Sequence, residues 1–286
     1  MKNKIIVATR KSPLALAQTR LVIEYLQERL PVYRFEALPL LTTGDKKANW
    51  SLEQEGGKGL FTRELEFALM DGEAQLAVHS AKDLPTTGMS EGLAIAGFLP
   101  REDPCDVFVR REASVVPRFI ATGSPRRRVQ AKKMYPQAVW SEIRGNVDTR
   151  LKKIVSGQAE ATILAAAGLK RLGIQDWPGL IFEPLGLHQM VPAVGQGAIA
   201  LQCRNEDTAI FAPLLDALTG DAVKIERCFL SKLGGGCHSV STAYYDKGEL
   251  LVFHEELGFQ KFSFTVEKEN EVSEAMNTIL EKLSVQ

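Results

Sequence analysis

Short apolar runs that end in a small polar residue and then give way to helical periodicity constrain this chain most strongly. Lys4 to Ala8 reads as a buried strand. Ser12-Pro13 then opens a helix, with serine as its cap and proline at its first position. Leu16, Thr19, Val22, Ile23, Leu26 and Leu30 follow at helical spacing. Phe35 to Leu41, Leu76 to His79 and Leu93 to Leu99 read as further strands, and Phe61 to Met70 as a helix. Such alternation predicts a parallel sheet with helices on both faces. The pattern restarts after Arg101-Glu102-Asp103-Pro104, which reads as a crossover. Strands are predicted at Phe119 to Thr122, Val139 to Ile143 and Ala161 to Ala165, with helices opening at Ser124-Pro125, Val147 and Ala166. Val191 to Ala200, with its Gly195-Gln196-Gly197 turn, reads as a return crossing that ends in an apolar strand. A helix over Asp221 to Leu233, strands near Ala243 and Leu250, and a helix over Val272 to Leu283 form a small α+β tail.

Composition narrows the class. A chain of 286 residues is too long for one small core and fits two or three domains. Thirty-five basic residues balance 35 acidic ones, and aromatics make up 7%, which argues against a nucleic-acid partner. Even the Arg126 to Arg128 run is a weak nucleic-acid signal in that setting. The apolar run Ile5 to Ala8 is too short for a signal peptide or a membrane span, and no later run is long enough. A cytoplasmic location without membrane contact is expected. Cys105, Cys203, Cys228 and Cys237 lack metal-site spacing and read as free thiols.

One device recurs three times: a strand ends, a small polar residue caps a helix, and arginine stands beside it. The cases are Thr9-Arg10-Lys11-Ser12, Thr122-Gly123-Ser124-Pro125-Arg126-Arg127-Arg128, and Arg144-Gly145-Asn146 through Arg150. Helix starts present unpaired N–H groups and a positive dipole end, and arginine adds forked recognition of carboxylate or phosphate. Each alone could be an ordinary capped helix with solvated charges. Three in the same position of a βα unit predict a cleft for a ligand with several negative groups. In Ala77 to Pro85 a strand runs into Lys82-Asp83, a carboxylate beside a cation that could stabilise developing positive charge. A turn with a local ion pair is the plain alternative, and His79 reads as a packed core histidine. Gly234-Gly235-Gly236-Cys237-His238 makes an approachable thiol, either an attachment point or a surface turn. Lys46 to Lys58 reads as a mobile loop. Gly56-Gly57-Lys58-Gly59 is not a phosphate-binding Walker loop, and neither a dinucleotide fingerprint nor a metal set such as HExxH occurs.

These segments together closely resemble the porphobilinogen deaminase (hydroxymethylbilane synthase) family. The matching runs are ATRKSPLALAQ (8–18), TTGDK (42–46), GGKGLFTRELE (56–66), AVHSAKDLPT (77–86), REDPCDVFV (101–109), TGSPRRR (122–128), IRGNVDTRLKK (143–153), LAAAGLKRLG (164–173), PAVGQGA (192–198) and GGCHS (235–239). They stand in family order. The resemblance implies an α/β fold of two periplasmic-binding-protein-like (type II) lobes and a small α+β C-terminal domain. On that reading domain 1 covers 1–98 and 194–216, domain 2 covers 99–193, and domain 3 covers 217–286. It implies a dipyrromethane cofactor joined to Cys237 through a thioether, and a monomer that polymerises porphobilinogen with loss of ammonia. Each pyrrole carries an acetate and a propionate, so a growing chain accumulates carboxylates. By resemblance, Asp83 faces pyrrole N–H groups as the catalytic carboxylate. Arg10, Ser12, Lys82, Thr122, Ser124, Arg126, Arg127, Arg144 and Arg150 hold carboxylates, Lys58 and Phe61 belong to the loop, and Gln196 lies at the return crossing. Replacing Arg127 by leucine is then expected to disturb ligand handling rather than stability. Pro125 stands where the family has leucine, and His238-Ser239 where a more apolar stretch is expected. A non-catalytic two-lobed anion or solute binder is the alternative. It would explain the arginines but not the Gly-Gly-Gly-Cys loop.

Overall fold

The computed structural model describes residues 3–46, 62–86, 89–233, 240–263 and 269–284. Lys58, Phe61, Cys237, His238 and most of the predicted mobile loop lie outside them. The chain divides into two compact units. One comprises Met1–Glu102, Arg171–Gly173 and Gly197–Gly220, and the other Asp103–Lys170, Ile174–Gln196 and Asp221–Gln286.

The first unit is a five-stranded sheet flanked by helices. Its strands are β1 (Asn3–Arg10), β2 (Tyr33–Leu40), β3 (Leu76–Ser80), β4 (Leu93–Phe98) and, from far along the chain, β10 (Ile199–Arg204), in the order β2-β1-β3-β10-β4. β1 pairs in parallel with β2 and β3, whereas β10 runs antiparallel to both of its neighbours. Helix α1 (Pro13–Arg29) places Val22 and Leu26 against Val7, Leu76 and Leu201 on one face. Helix α2 (Arg63–Met70) places Leu65 and Leu69 against Ala8 and Ala77 on the other. Strands covered on both faces need near-continuous apolar runs, and β3 and β10 have them.

The second unit repeats this plan. It contains β5 (Asp106–Arg111), β6 (Phe119–Ala121), β7 (Val139–Ser141), β8 (Ala161–Ala165) and β9 (Leu180–Leu185), in the order β7-β6-β8-β5-β9. Here β5 is the antiparallel strand, between β8 and β9. Its helices are α3 (Pro125–Met134), α4 (Val147–Val155) and α5 (Ala166–Arg171), which reaches the boundary of the unit. With the antiparallel strand left out of the count, the first strand of each sheet lies between the second and third, and the antiparallel strand separates the third from the fourth. The expected wholly parallel sheets are therefore corrected to mixed ones. β5 was not predicted, because Asp106, Arg110 and Arg111 frame only three apolar residues. β9 was also missed, since Pro184 weakens its strand signal. Of Val191 to Ala200, only the end is strand: Gly195 and Gly197 take φ of 70° and 88°, and β10 begins at Ile199.

A small α+β element completes the second unit. Helices α6 (Ala217–Lys232) and α7 (Glu269–Ser284) accompany the antiparallel sheet of β11 (Ser241–Asp246), β12 (Glu249–His254) and β13 (Gly258–Ser263). Phe229, Val252 and Met276 form its core. Val191, Val129, Leu251 and Phe253 join it to the rest of that unit.

Candidate functional site

In the first unit the chemistry gathers where β1 and β3 end. Ser12 Oγ accepts the Ala15 N–H at 3.3 Å, with Pro13 at the first helical position, so the predicted cap forms. Thr9 is buried and its hydroxyl donates to the Ala15 carbonyl at 3.3 Å, tying the strand end to the helix start. After β3 the chain makes a single 3₁₀ turn over Ala81–Asp83, closed by the Leu84 N–H on the Ala81 carbonyl. That turn exposes Lys82 and Asp83 while Ala81 anchors it inside. Ser80 is held by Gln18 at 2.9 Å. Arg10, Ser12, Gln18, His79, Ser80 and Asp83 thereby line one pocket. A cation, a helix start and a carboxylate share that space, so it can receive an anion and a cationic N–H donor together.

In the second unit Thr122 Oγ1 accepts the Ser124 N–H at 3.2 Å, and Ser124 Oγ accepts the Arg127 N–H at 3.4 Å, so the second device also forms a capped helix. Arg126 and Arg127 do not project from it as solvated cations. Both are under a tenth exposed and grip Asp106, which is fully buried. Arg126 donates to Asp106 Oδ2 at 2.7 Å and to the Val191 carbonyl. Arg127 donates through Nε and Nη2 to Asp106 Oδ1, at 3.1 and 2.7 Å, and through Nη1 to the Ile163 carbonyl. Burial alone would raise the Asp106 carboxyl, but the two guanidinium charges override it and hold it well below the usual carboxylate range. Two cations and one anion leave the cluster net positive. Gln196, almost fully buried, donates its amide to the Pro104 carbonyl at 2.7 Å and to Asp106 Oδ1 at 2.9 Å. The third device differs from expectation. Asn146 occupies the cap position but its side chain caps nothing, and Gly145 carries the turn at φ 111°. Arg144 is half-buried against Glu142 at 3.2 Å, and Arg150 Nε donates to the Gly145 carbonyl.

Sequence reasoning missed Asp106. Its signal was an aspartate opening a buried apolar run, a position that demands cationic partners. It also passed over Arg171, whose Nη2 donates to the Gly197 carbonyl and whose guanidinium burial pushes down to about 10. His79 is packed as expected, yet it also lines the pocket. Burial drives its pKa down to about 4, helped by Arg10 and opposed by a hydrogen bond to Gln202. Cys105 is an inert thiol, since burial and the nearby Asp103 raise it to about 12. Among the described residues no cluster of metal-ligating side chains occurs, and no helix is long and apolar enough to cross a membrane.

Two units of matching strand order, each with a helix capped by serine beside arginine, define an α/β protein built of two similar lobes. Residues 5–212 match the family model described as porphobilinogen deaminase, dipyrromethane cofactor binding domain. The chain belongs to the porphobilinogen deaminase family, and that matched region is the family's dipyrromethane-binding domain. It is 41% identical over 278 residues to the porphobilinogen deaminase of Listeria innocua serovar 6a, covering 94% of this chain and 90% of that one. It is 39% identical over 260 residues to that of Sulfurimonas denitrificans, covering 87% and 82%. Among solved structures it is similar to the periplasmic VFT2 domain of Bordetella pertussis BvgS, at 20% identity and TM-score 0.45, covering 77% of this chain and 89% of that one.

Proposed function

We propose that this chain is a transferase that joins four porphobilinogen molecules into the linear tetrapyrrole hydroxymethylbilane, releasing one ammonia per unit. The observation that carries this reading, within a chain of this family, is the pocket where Asp83 meets Arg10 and the capped start of α1. The residues fit a dipyrromethane. Its carboxylates need cations and N–H donors: Arg10 and Ser12 offer them in the first unit, and the net-positive Asp106–Arg126–Arg127 cluster is a separate positive centre in the second. When bound through the Cys237 thiol, the group supplies a pyrrole primer with a reactive α-carbon.

The chain's own residues do the rest. Asp83 accepts pyrrole N–H bonds and stabilises the positive charge that develops as ammonia leaves. Arg10, Ser12, Lys82, Thr122, Ser124, Arg144 and Arg150 hold substrate carboxylates. Arg126 and Arg127 do so through donors that Asp106 leaves over. Lys58, Phe61 and Gln196 contribute to cofactor and substrate binding. Three domains, 1–98 with 194–216, 99–193 and 217–286, and a cytoplasmic monomer with no nucleic-acid or membrane partner complete the reading. A solute binder of similar fold would not need a carboxylate at Asp83.

Intact mass tests it. The purified protein should exceed its sequence mass by two condensed pyrrole units, and a Cys237→Ser variant should not. If the protein shows no excess after incubation with porphobilinogen, it is not this enzyme.

A further inference from the structure

The inner wall of the Asp83 pocket holds a titratable group with no part in the scheme above. His79 is only 5% exposed, and its Nε2 lies 2.9 Å from Gln202 Oε1. The orientation of that amide is itself set. Gln202 Nε2 donates to Glu66 Oε1 at 3.3 Å, and Glu66 Oε2 accepts the Ser90 hydroxyl at 2.6 Å. An amide oxygen only accepts, so His79 Nε2 carries the hydrogen and Nδ1 is bare. Nδ1 has no partner among the described residues, and it is not one of their buried, unpartnered atoms. It therefore opens onto accessible space, and the space this ring lines is the pocket of Arg10, Ser80 and Asp83. Burial and the Arg10 charge keep the ring neutral at physiological pH. The result is a base of fixed tautomer in the same pocket as the carboxylate assigned above to the pyrrole N–H groups.

We propose that His79 Nδ1 takes the proton released when each new pyrrole is joined. The proposal rests on the activity assigned above. Loss of ammonia leaves a cationic methylene carbon on the incoming unit, and the unsubstituted α-carbon of the chain's last pyrrole bonds to it. The α C–H bond then breaks, its electron pair restores the aromatic ring, and the proton passes to Nδ1 and on to water. A protonated pyrrole carbon is strongly acidic, so a weak base suffices. A neutral base also adds no negative charge that would hold the cation back.

Glutamine at this position reproduces Nε2–H and removes Nδ1, so His79→Gln is the test, in the cofactor-loaded protein confirmed by mass. Its kcat should fall about 100-fold, the low end for a lost general base, with KM little changed. Porphobilinogen deuterated at its free α-position should show a larger isotope effect in the variant than in the parent. Independently of turnover, imidazole ¹⁵N spectra of the parent should show His79 neutral with hydrogen on Nε2 at pH 7. Should the glutamine variant fail to load, Gln202→Met, which releases the tautomer, should show the same isotope signature. Parental kcat and isotope effect in a folded variant, or an Nδ1–H or doubly protonated ring at pH 7, overturns the assignment. A parent that makes no tetrapyrrole overturns the activity itself.

Discussion

Arg127 shows how a residue type can be read correctly while its setting stays hidden. Its position after Ser124-Pro125 was legible, because a capped helix start beside cations is a local pattern. Its partner was not, because Asp106 reaches it through tertiary contact across 21 residues of sequence. The expectation that Arg127→Leu spares stability is accordingly revised. Removing Arg127 leaves the buried Asp106 with Arg126 as its one remaining ion-pair partner among the described residues, and the variant should lose up to about 3 kcal/mol. Chemical denaturation measures it, and an unshifted midpoint would refute it. Asp83 sits differently, exposed on a single turn with no fold to support. Asp83→Asn should keep the parental melting temperature and lose turnover about 100-fold, as when a group stabilising transition-state charge is removed. Near-parental rates would refute its role.

Elements were legible where their signals were local. The Ser-Pro starts of α1 and α3, and the apolar runs of β1, β3 and β8, could be read from a few neighbouring residues. β5 and β9 could not, since framing charges and Pro184 shorten their apolar runs, and their place beside β8 is a matter of topology. Asn146 is the converse case: the right residue at the cap position, without the cap bond. Ser124→Ala should therefore cost about 1 kcal/mol of stability, while Asn146→Ala should cost less. Paired melting curves decide between them. Gly197 marks the other kind of element boundary. At φ 88°, any Cβ would collide with the Glu102 carbonyl. Gly197→Ala should destabilise by about 1–3 kcal/mol, the usual scale of local backbone strain, and lower the melting temperature.

At the scale of the whole molecule, two buried groups lose stability in acid, each in its own pH window. The unfolded chain protonates His79 near 6.5, but the folded chain only near 4. The unfolded state thus binds the extra proton between those values, and stability falls as pH drops through that window, by up to about 3 kcal/mol. Asp106 is depressed in the fold, so its contribution is complete above the ordinary carboxylate value and fades only as pH falls below it. Urea midpoints between pH 7 and pH 4 should decline in the parent and flatten in His79→Gln. Parallel curves would show that another group carries the loss.

The shared strand order also bears on how the protein is born. In the first sheet the place between β3 and β4 is filled by β10, which follows β4 after 100 intervening residues. On a ribosome adding about 5–20 residues per second, the N-terminal half waits roughly 5–20 s with the edges of β3 and β4 unpaired. The second sheet receives β5 before its other strands and suffers no such delay. Nascent chains of the first lobe are therefore the ones exposed to chaperones, proteases and one another, and a stall between β4 and β10 would release a fragment that cannot close its own sheet.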